Sequence, residues 1–348
     1  MMWKDLKYLI AYIAPISAIL GFKYGGIGYY AAFFVGFVFI PTVELLFPGS
    51  DSNFSTEMET EQDSSRLFDF YLYFNLPLVY WILYIFLQTI EVKELTTTNY
   101  IGLYLSMAVI IGTCGINVAH ELGHRNTWFD KLCARLLLIP ALYTHFTNQH
   151  NSGHHKNVAT ELDPATAKYG EMVYTFWIKS IINNYFEAWK LEARKLASQN
   201  HHWFHYKNEM IWLQIIQIAY LYIIKLNFGL YPMIGAIVAA FGGILLLETV
   251  NYIEHYGLRR KKLSSGRYEP VSFVHSWNSN HELGRIFLYE LTRHSDHHYK
   301  STRKYQILKH YDESPQLPYG YPMSILISLV PPLWFKIMNK RIKVLQSA

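Results

Sequence analysis

His294, His297 and His298 stand at i, i+3 and i+4 in the stretch Leu-Thr-Arg-His-Ser-Asp-His-His (291–298). A helix there would project all three imidazoles from one side. His120 and His124 form an i, i+4 pair, and His150, His154 and His155 add three more. A lone histidine on an apolar face is usually a hydrogen-bonded core residue. Eight in three clusters, each at helical ligand spacing, form a metal-binding pattern instead. A ninth, His255, follows directly on an apolar run, in Asn-Tyr-Ile-Glu-His-Tyr-Gly (251–257). Imidazole suits iron, copper and zinc alike. The count argues for two metals, since four or five nitrogens each would leave a position open for oxygen. Zinc fits less well, because a structural zinc closes at four ligands and a catalytic one needs about three. Copper remains compatible on ligand type alone.

Long apolar runs separate these clusters. The 348 residues are 51% hydrophobic and 17% aromatic, and only 16% are charged, against roughly 25% in a soluble domain. Such alternation marks an integral membrane protein. Runs over 8–22, 27–47, 67–90, 100–118, 210–228 and 231–250 predict six transmembrane helices. Each is near the ~20 residues that cross a hydrocarbon core, and helices satisfy their own backbone there. No small-x-small cleavage site follows the first run, so it reads as a span, not a signal peptide. The run from Met323 to Met338 holds Pro331 and Pro332 and reads as a broken interfacial helix. Cys114 and Cys133 read as small buried hydrophobes. The expectation is a single all-α integral-membrane domain over 1–348, with segments 119–209 and 251–348 forming a histidine-rich helical di-metal cap.

Six spans put both termini and both of those segments on one side. The segments carry ten and fifteen Lys or Arg and the N-terminus adds Lys4 and Lys7, together 27 of 31. The positive-inside rule therefore places the cap and both termini in the cytoplasm. An apolar substrate would reach such a site from lipid while electrons arrive from the cytosol.

Five stretches together resemble the integral-membrane alkane 1-monooxygenases: His-Glu-Leu-Gly-His (120–124), Gly-His-His with Val-Ala-Thr soon after (153–160), Asn-Tyr-Ile-Glu-His-Tyr-Gly-Leu (251–258), His-Ser-Trp-Asn-Ser-Asn-His (275–281) and Arg-His-Ser-Asp-His-His (293–298). The likeness runs from the first spans to Gly320-Tyr-Pro. Its specific signals are Glu-His-Tyr-Gly and Arg-His-Ser-Asp-His-His; the histidine boxes alone would indicate only the wider membrane di-iron group that includes desaturases. The resemblance implies a six-helix fold in a bacterial inner membrane and two irons held by His120, His124, His150, His154, His155, His255, His294, His297 and His298. It implies O₂-dependent hydroxylation of an alkane's terminal methyl, with electrons from rubredoxin and, behind it, an NAD(P)H-dependent reductase. Gln149 stands where the family commonly has an acidic residue, Thr292 where it often has Gln, and Arg125 where Lys is frequent. None removes a ligand. Relatives acting on aromatic methyl groups, desaturases and a metal transporter are the alternatives, and no nucleic-acid partner is expected.

Further residues follow from position. Glu248 lies seven residues before His255, two turns away on the same side, and is expected to accept an N–H from a ligand imidazole. Asp296, His275 and His281 are candidates for similar contacts. Arg259, Arg260, Lys261, Lys262, Arg303 and Lys304 flank the last clusters and could dock an acidic electron donor. Gly36 is a gap among bulky side chains in the second span. It either admits a neighbouring helix or leaves room for the far end of an alkyl chain in a substrate channel. His201, His202 and His205 read as a solvated turn or helix, and His145 and His310 as structural.

Overall fold

Six apolar stretches fold into helices long enough to cross a membrane: Asp5–Tyr24, Gly26–Leu46, Leu67–Val92, Thr97–Gly123, Glu209–Phe228 and Leu230–His255. The structure is a computed structural model describing residues 3–47 and 49–347, so Met1, Met2, Pro48 and Ala348 lie outside the described residues. Among the described residues, regular structure is helical apart from two isolated bridges, Lys262–Tyr268 and Asn278–Gln316.

Local chemistry sets the ends of these helices. The Thr96 hydroxyl accepts from the Asn99 amide at 3.3 Å to start the fourth span. Asn208 caps the fifth through the Met210 amide at 2.9 Å. Gly229, at φ +90°, makes the tight reversal into the sixth, a backbone conformation that side-chain-bearing residues avoid. The fourth span is central, with 72% of its apolar window buried, whereas the fifth buries only 11% and faces outward. The fourth and sixth spans meet closely because the sixth presents glycine: a Cβ on Gly243 would stand 2.5 Å from Ile111 Cγ2.

Two spans run further than hydropathy suggests. The fourth continues from 118 to Gly123 and the sixth from 250 to His255. Apolar composition stops where the histidines begin, but the helices go on, because the folded cap buries these polar side chains. The fourth span also contains a widened, π-type stretch, Ile111–Asn117, just before His120. A second lies at Val35–Phe39 around Gly36 and a third at His150–His154. Such wide turns hold one extra residue and recur at functional sites.

The remaining chain covers one end of the bundle. The 25-residue helix Val173–Ala197 lies against the sixth span, where Trp177 Nε1 donates to Thr249 Oγ1 at 3.0 Å. The C-terminal run divides as expected, into Tyr321–Ser328 and Pro331–Ser347. Residues 49–66 pack on the cap: Arg293 donates to the Ser52 carbonyl at 2.8 Å and Lys304 to the Asp63 carbonyl at 2.7 Å. Aromatic rings tie the first and third spans to the cap, with Tyr8 edge-on to Phe68 at 5.8 Å and to Tyr305 at 5.0 Å. Beneath them Glu290 is buried and accepts from Tyr8 at 2.9 Å and from Arg285 at 2.7 Å. Burial alone would raise its pKa, but Arg285, Lys7 and Arg293 outweigh that and hold it at about 2. Removing one partner of such a buried pair typically costs about 3–5 kcal/mol. Four residues beyond Glu290 comes His294, so this cluster fixes the entry of the helix His294–Tyr299.

Candidate metal centre

The fourth span delivers His120 from its final turn, and His124 caps its end directly after Gly123. The wide turn His150–His154 and the short helix after it deliver His150, His154 and His155. The sixth span ends on His255, and the helix His294–Tyr299 brings His294, His297 and His298. All nine converge in two groups. His120, His124, His150, His155 and His297 form one, and His154, His255, His294 and His298 form the other. Within each group the nitrogens lie within 4.8 Å of one another.

Their spacing is that of ligands around ions. Nε2 of His120 is 2.9 Å from that of His150, His150 is 3.0 Å from His155, and His155 is 3.1 Å from His297. In the second group His294 is 2.9 Å from His298 and 3.3 Å from His255. A neutral imidazole has one N–H and one acceptor, so hydrogen bonding alone does not account for a ring of converging nitrogens. Imidazole nitrogens bound about 2.0–2.1 Å from a metal would stand roughly 3 Å from one another. Nε2 of His124 and of His154 are buried and have no hydrogen-bond partner, as metal-facing lone pairs would be. Burial lowers the pKa of His124 to about 3 and that of His150, His155, His294, His297 and His298 well below its usual value, with neighbouring histidines adding to it. These rings are neutral at pH 7, the form that binds metal. The two groups fit a di-metal site.

One imidazole is oriented by a carboxylate that spacing did not single out. His154 Nδ1 stands 2.9 Å from Asp163 Oδ2, both fully buried. Thr166 donates to the same oxygen at 2.5 Å. Burial pushes the Asp163 carboxyl up, but the His154 imidazole and these hydrogen bonds outweigh it, and its pKa is lowered. Asp163 follows His154 by nine residues through an irregular loop, so no helical period marks it.

Several expected contacts fall elsewhere. Glu248 touches no imidazole. It is fully buried and accepts from Tyr143 at 3.0 Å, Ser180 at 2.5 Å and Asn251 at 3.2 Å. Two helical turns do place it on the side of His255, but the helix Val173–Ala197 and the Tyr143 segment reach it first. Asp296 is buried too, and its carboxylate is taken by Arg303 at 2.6 Å and the Lys309 amide at 2.8 Å. His275 pairs with Glu269 at 3.2 Å, and His281 with Ser279 at 2.9 Å; neither side chain meets a ligand ring. His201 and His205 stack on each other at 4.1 Å and, with His202, join neither group. His145 is buried against Tyr143 and Tyr185, and His310 bonds Asn280 and Asp312. Gln149 donates to Glu187 at 2.9 Å, Thr292 to the Ser279 carbonyl at 2.8 Å, and Arg125 pairs with Glu121 and Asp69.

A narrow cavity of about 70 Å³ runs from the membrane helices to this centre. Gly36, Phe37, Val109, Leu246 and Phe287 line its length, and His120, His150 and His294 close one end beside Asn117, Asn251 and Glu254. The cavity is apolar except at the histidine end.

Helical membrane architecture with a histidine-lined double site defines the class, and the chain matches the family described as fatty acid desaturase over residues 96–325. It is 41% identical over 243 residues to alkane 1-monooxygenase 2 of Pseudomonas aeruginosa, covering 70% of this chain and 64% of that relative's length. It is 34% identical over 335 residues to alkane 1-monooxygenase 2 of Alcanivorax borkumensis, covering 95% of this chain and 87% of the relative. At 26% over 343 residues, or 96% of this chain and 88% of the relative, it is similar to the xylene/toluene monooxygenase hydroxylase component of Pseudomonas putida. Within that class, the chain belongs to the alkane 1-monooxygenase family.

Replacing Asp163 by Asn keeps the shape and removes the charge that orients His154. Affinity for the ion at that group should fall about 10–100-fold, read by competition with a chromophoric chelator. His202→Ala should leave it unchanged. Wild-type affinity in Asp163→Asn would remove the orienting role.

Proposed function

We propose that this protein is an O₂-dependent alkane 1-monooxygenase, a single hydroxylase domain in a bacterial inner membrane with its cap and termini in the cytoplasm. The observation that carries the reading is the apolar cavity ending between the two histidine groups. A linear alkane has no polar handle, so a lining that is mainly apolar away from the histidine end positions it by shape and by exclusion of water. The nine histidines would hold two irons, which when bound supply the reductive activation of O₂ and insertion of one oxygen atom into a C–H bond. Overall, alkane, O₂, two electrons and two protons give a primary alcohol and water. The chain's own part is to fix the ligand rings, through Asp163 at His154, and to hold the substrate's end at the closed tip of the cavity.

The test combines metal analysis with products. Purified chain should contain about two irons, and cells supplied with rubredoxin and its reductase should convert a panel of alkanes to 1-alcohols. Label from ¹⁸O₂ should enter the alcohol. An alkene without label would mean a desaturase, oxidation of methylarenes in preference to alkanes would mean a relative acting on aromatic methyl groups, and metal flux into proteoliposomes would mean a transporter.

We propose that electrons come from rubredoxin docked on the basic face beyond the sixth span. Arg303 and Lys304 are engaged with Asp296 and the Asp63 carbonyl, and Arg260 donates to the Glu269 carbonyl at 2.7 Å. Arg259, Lys261 and Lys262 are exposed and are the members left to meet an acidic partner. Turnover at limiting donor should weaken with salt. Neutralising these three should raise the apparent KM for rubredoxin several-fold and flatten that dependence; unchanged donor affinity would reject the surface.

Gly36 would set substrate length. A Cβ there would meet only Val109 Cγ1, at 3.7 Å, so the position faces open cavity instead of a tightly packed helix. Gly36→Trp should cut off long alkanes while sparing short ones, whose reacting end still reaches the centre. The measurement is a chain-length profile beside wild type; a uniform loss would indicate disturbed packing, and an unchanged profile would place Gly36 outside the channel.

A further inference from the structure

Glu254 is the one carboxylate lining the cavity beside the histidines, and neither the mechanism above nor any packing role uses it. It stands in the last turn of the sixth span, immediately before His255, and is 1% exposed. Its Oε2 lies 3.2 Å from Nε2 of His294, while Oε1 is buried without a hydrogen-bond partner. Tyr321 is its other neighbour, and among the described residues no lysine or arginine pairs with it. A carboxylate buried beside apolar helices without a cation is costly. Every other buried acid near the centre has compensation: Asp163 has His154 and Thr166, Glu248 has three donors, and Asp296 has Arg303. Glu254 has only a hydrogen bond with Tyr321 and the edge of the four-histidine group.

The distance itself is informative. Nε2 of His294 is 2.9 Å from His298 and 3.3 Å from His255, both members of its own group. Glu254 Oε2 approaches the same nitrogen at a separation within that range. Carboxylate oxygen binds metal at about 2.0–2.2 Å and imidazole nitrogen at about 2.0–2.1 Å, so an oxygen and a nitrogen on adjacent positions of one ion stand roughly 3 Å apart. One histidine group offers five nitrogens and the other four. We propose that Glu254 is a tenth ligand, giving a carboxylate oxygen to the ion held by His154, His255, His294 and His298. The centre is then asymmetric, with five nitrogens on one ion and four nitrogens and an oxygen on the other, and the anionic ligand stands on the cavity wall. This assignment rests on the two-metal reading above.

The experiment titrates metal-free, full-length protein in detergent with Co(II), whose d–d absorption reports coordination number and donor type, and repeats it with Glu254→Gln and Glu254→Ala. Wild type should bind two ions with distinguishable spectra. In both variants one ion should bind at least tenfold more weakly with an altered spectrum, while the other keeps its affinity and spectrum and so shows that the fold is intact. Mössbauer spectra of the iron-loaded forms should likewise change in one of two components. Two ions bound with wild-type affinity and spectra in Glu254→Ala would overturn the assignment, as would loss of both ions in the isosteric Gln variant. A wild-type chain that takes up fewer than two ions would overturn the two-metal reading itself, and the Glu254 ligand with it.

Discussion

Converging lone pairs repel, and nine imidazoles are brought together here, seven of them buried and two half-buried. The nitrogens stand about 3 Å apart within each group, and those of His124 and His154 face inward with no partner. The arrangement is stable only if the rest of the fold holds the rings rigidly or a cation occupies the centres. Much of the cap does the first. Glu290 clamps Arg285 and the N-terminal helix just ahead of His294, Asp296 is locked by Arg303 between two ligands, and Asp163 fixes His154 from behind. Each clamp is a buried ion or hydrogen-bonded pair whose loss would leave an uncompensated charge.

That demand explains why membrane and cap are one piece of engineering. The fourth and sixth spans do not stop where apolar composition stops and hand over to flexible loops; they carry their helical hydrogen bonding on to His120 and His255. A ligand on the last turn of a packed helix is held more closely than one on a loop. The sixth span then has to sit hard against the fourth, and Gly243 permits that approach.

Nearly all of the spans and all nine converging histidines were legible in the sequence, because apolar length and i, i+3, i+4 spacing are strong periodic signals. What was not legible depends on segments distant in the chain. Glu248 has the right helical phase to face His255, yet Tyr143 and Ser180 take its oxygens. Asp296, a candidate to meet an imidazole, instead lies buried under Arg303. Asp163 has no period at all, since an irregular loop brings it back to His154. Half of the basic residues expected to form a free surface are bonded to the chain itself. Periodicity shows which side of a helix a residue occupies, and only tertiary packing decides what meets it there.

The wide turn at Ile111–Asn117 has one more consequence. A regular α-helix advances about 100° per residue, so the side that faces lipid at Thr97 would dictate where His120 and His124 point. An extra residue in one turn breaks that coupling and re-phases everything after it. The membrane-embedded half can keep the rotation that buries its apolar side chains, while the ligand half takes the rotation that aims two imidazoles at the centre. Deleting a single residue inside this turn would leave composition and length almost untouched. It would swing both rings out of register with the other seven.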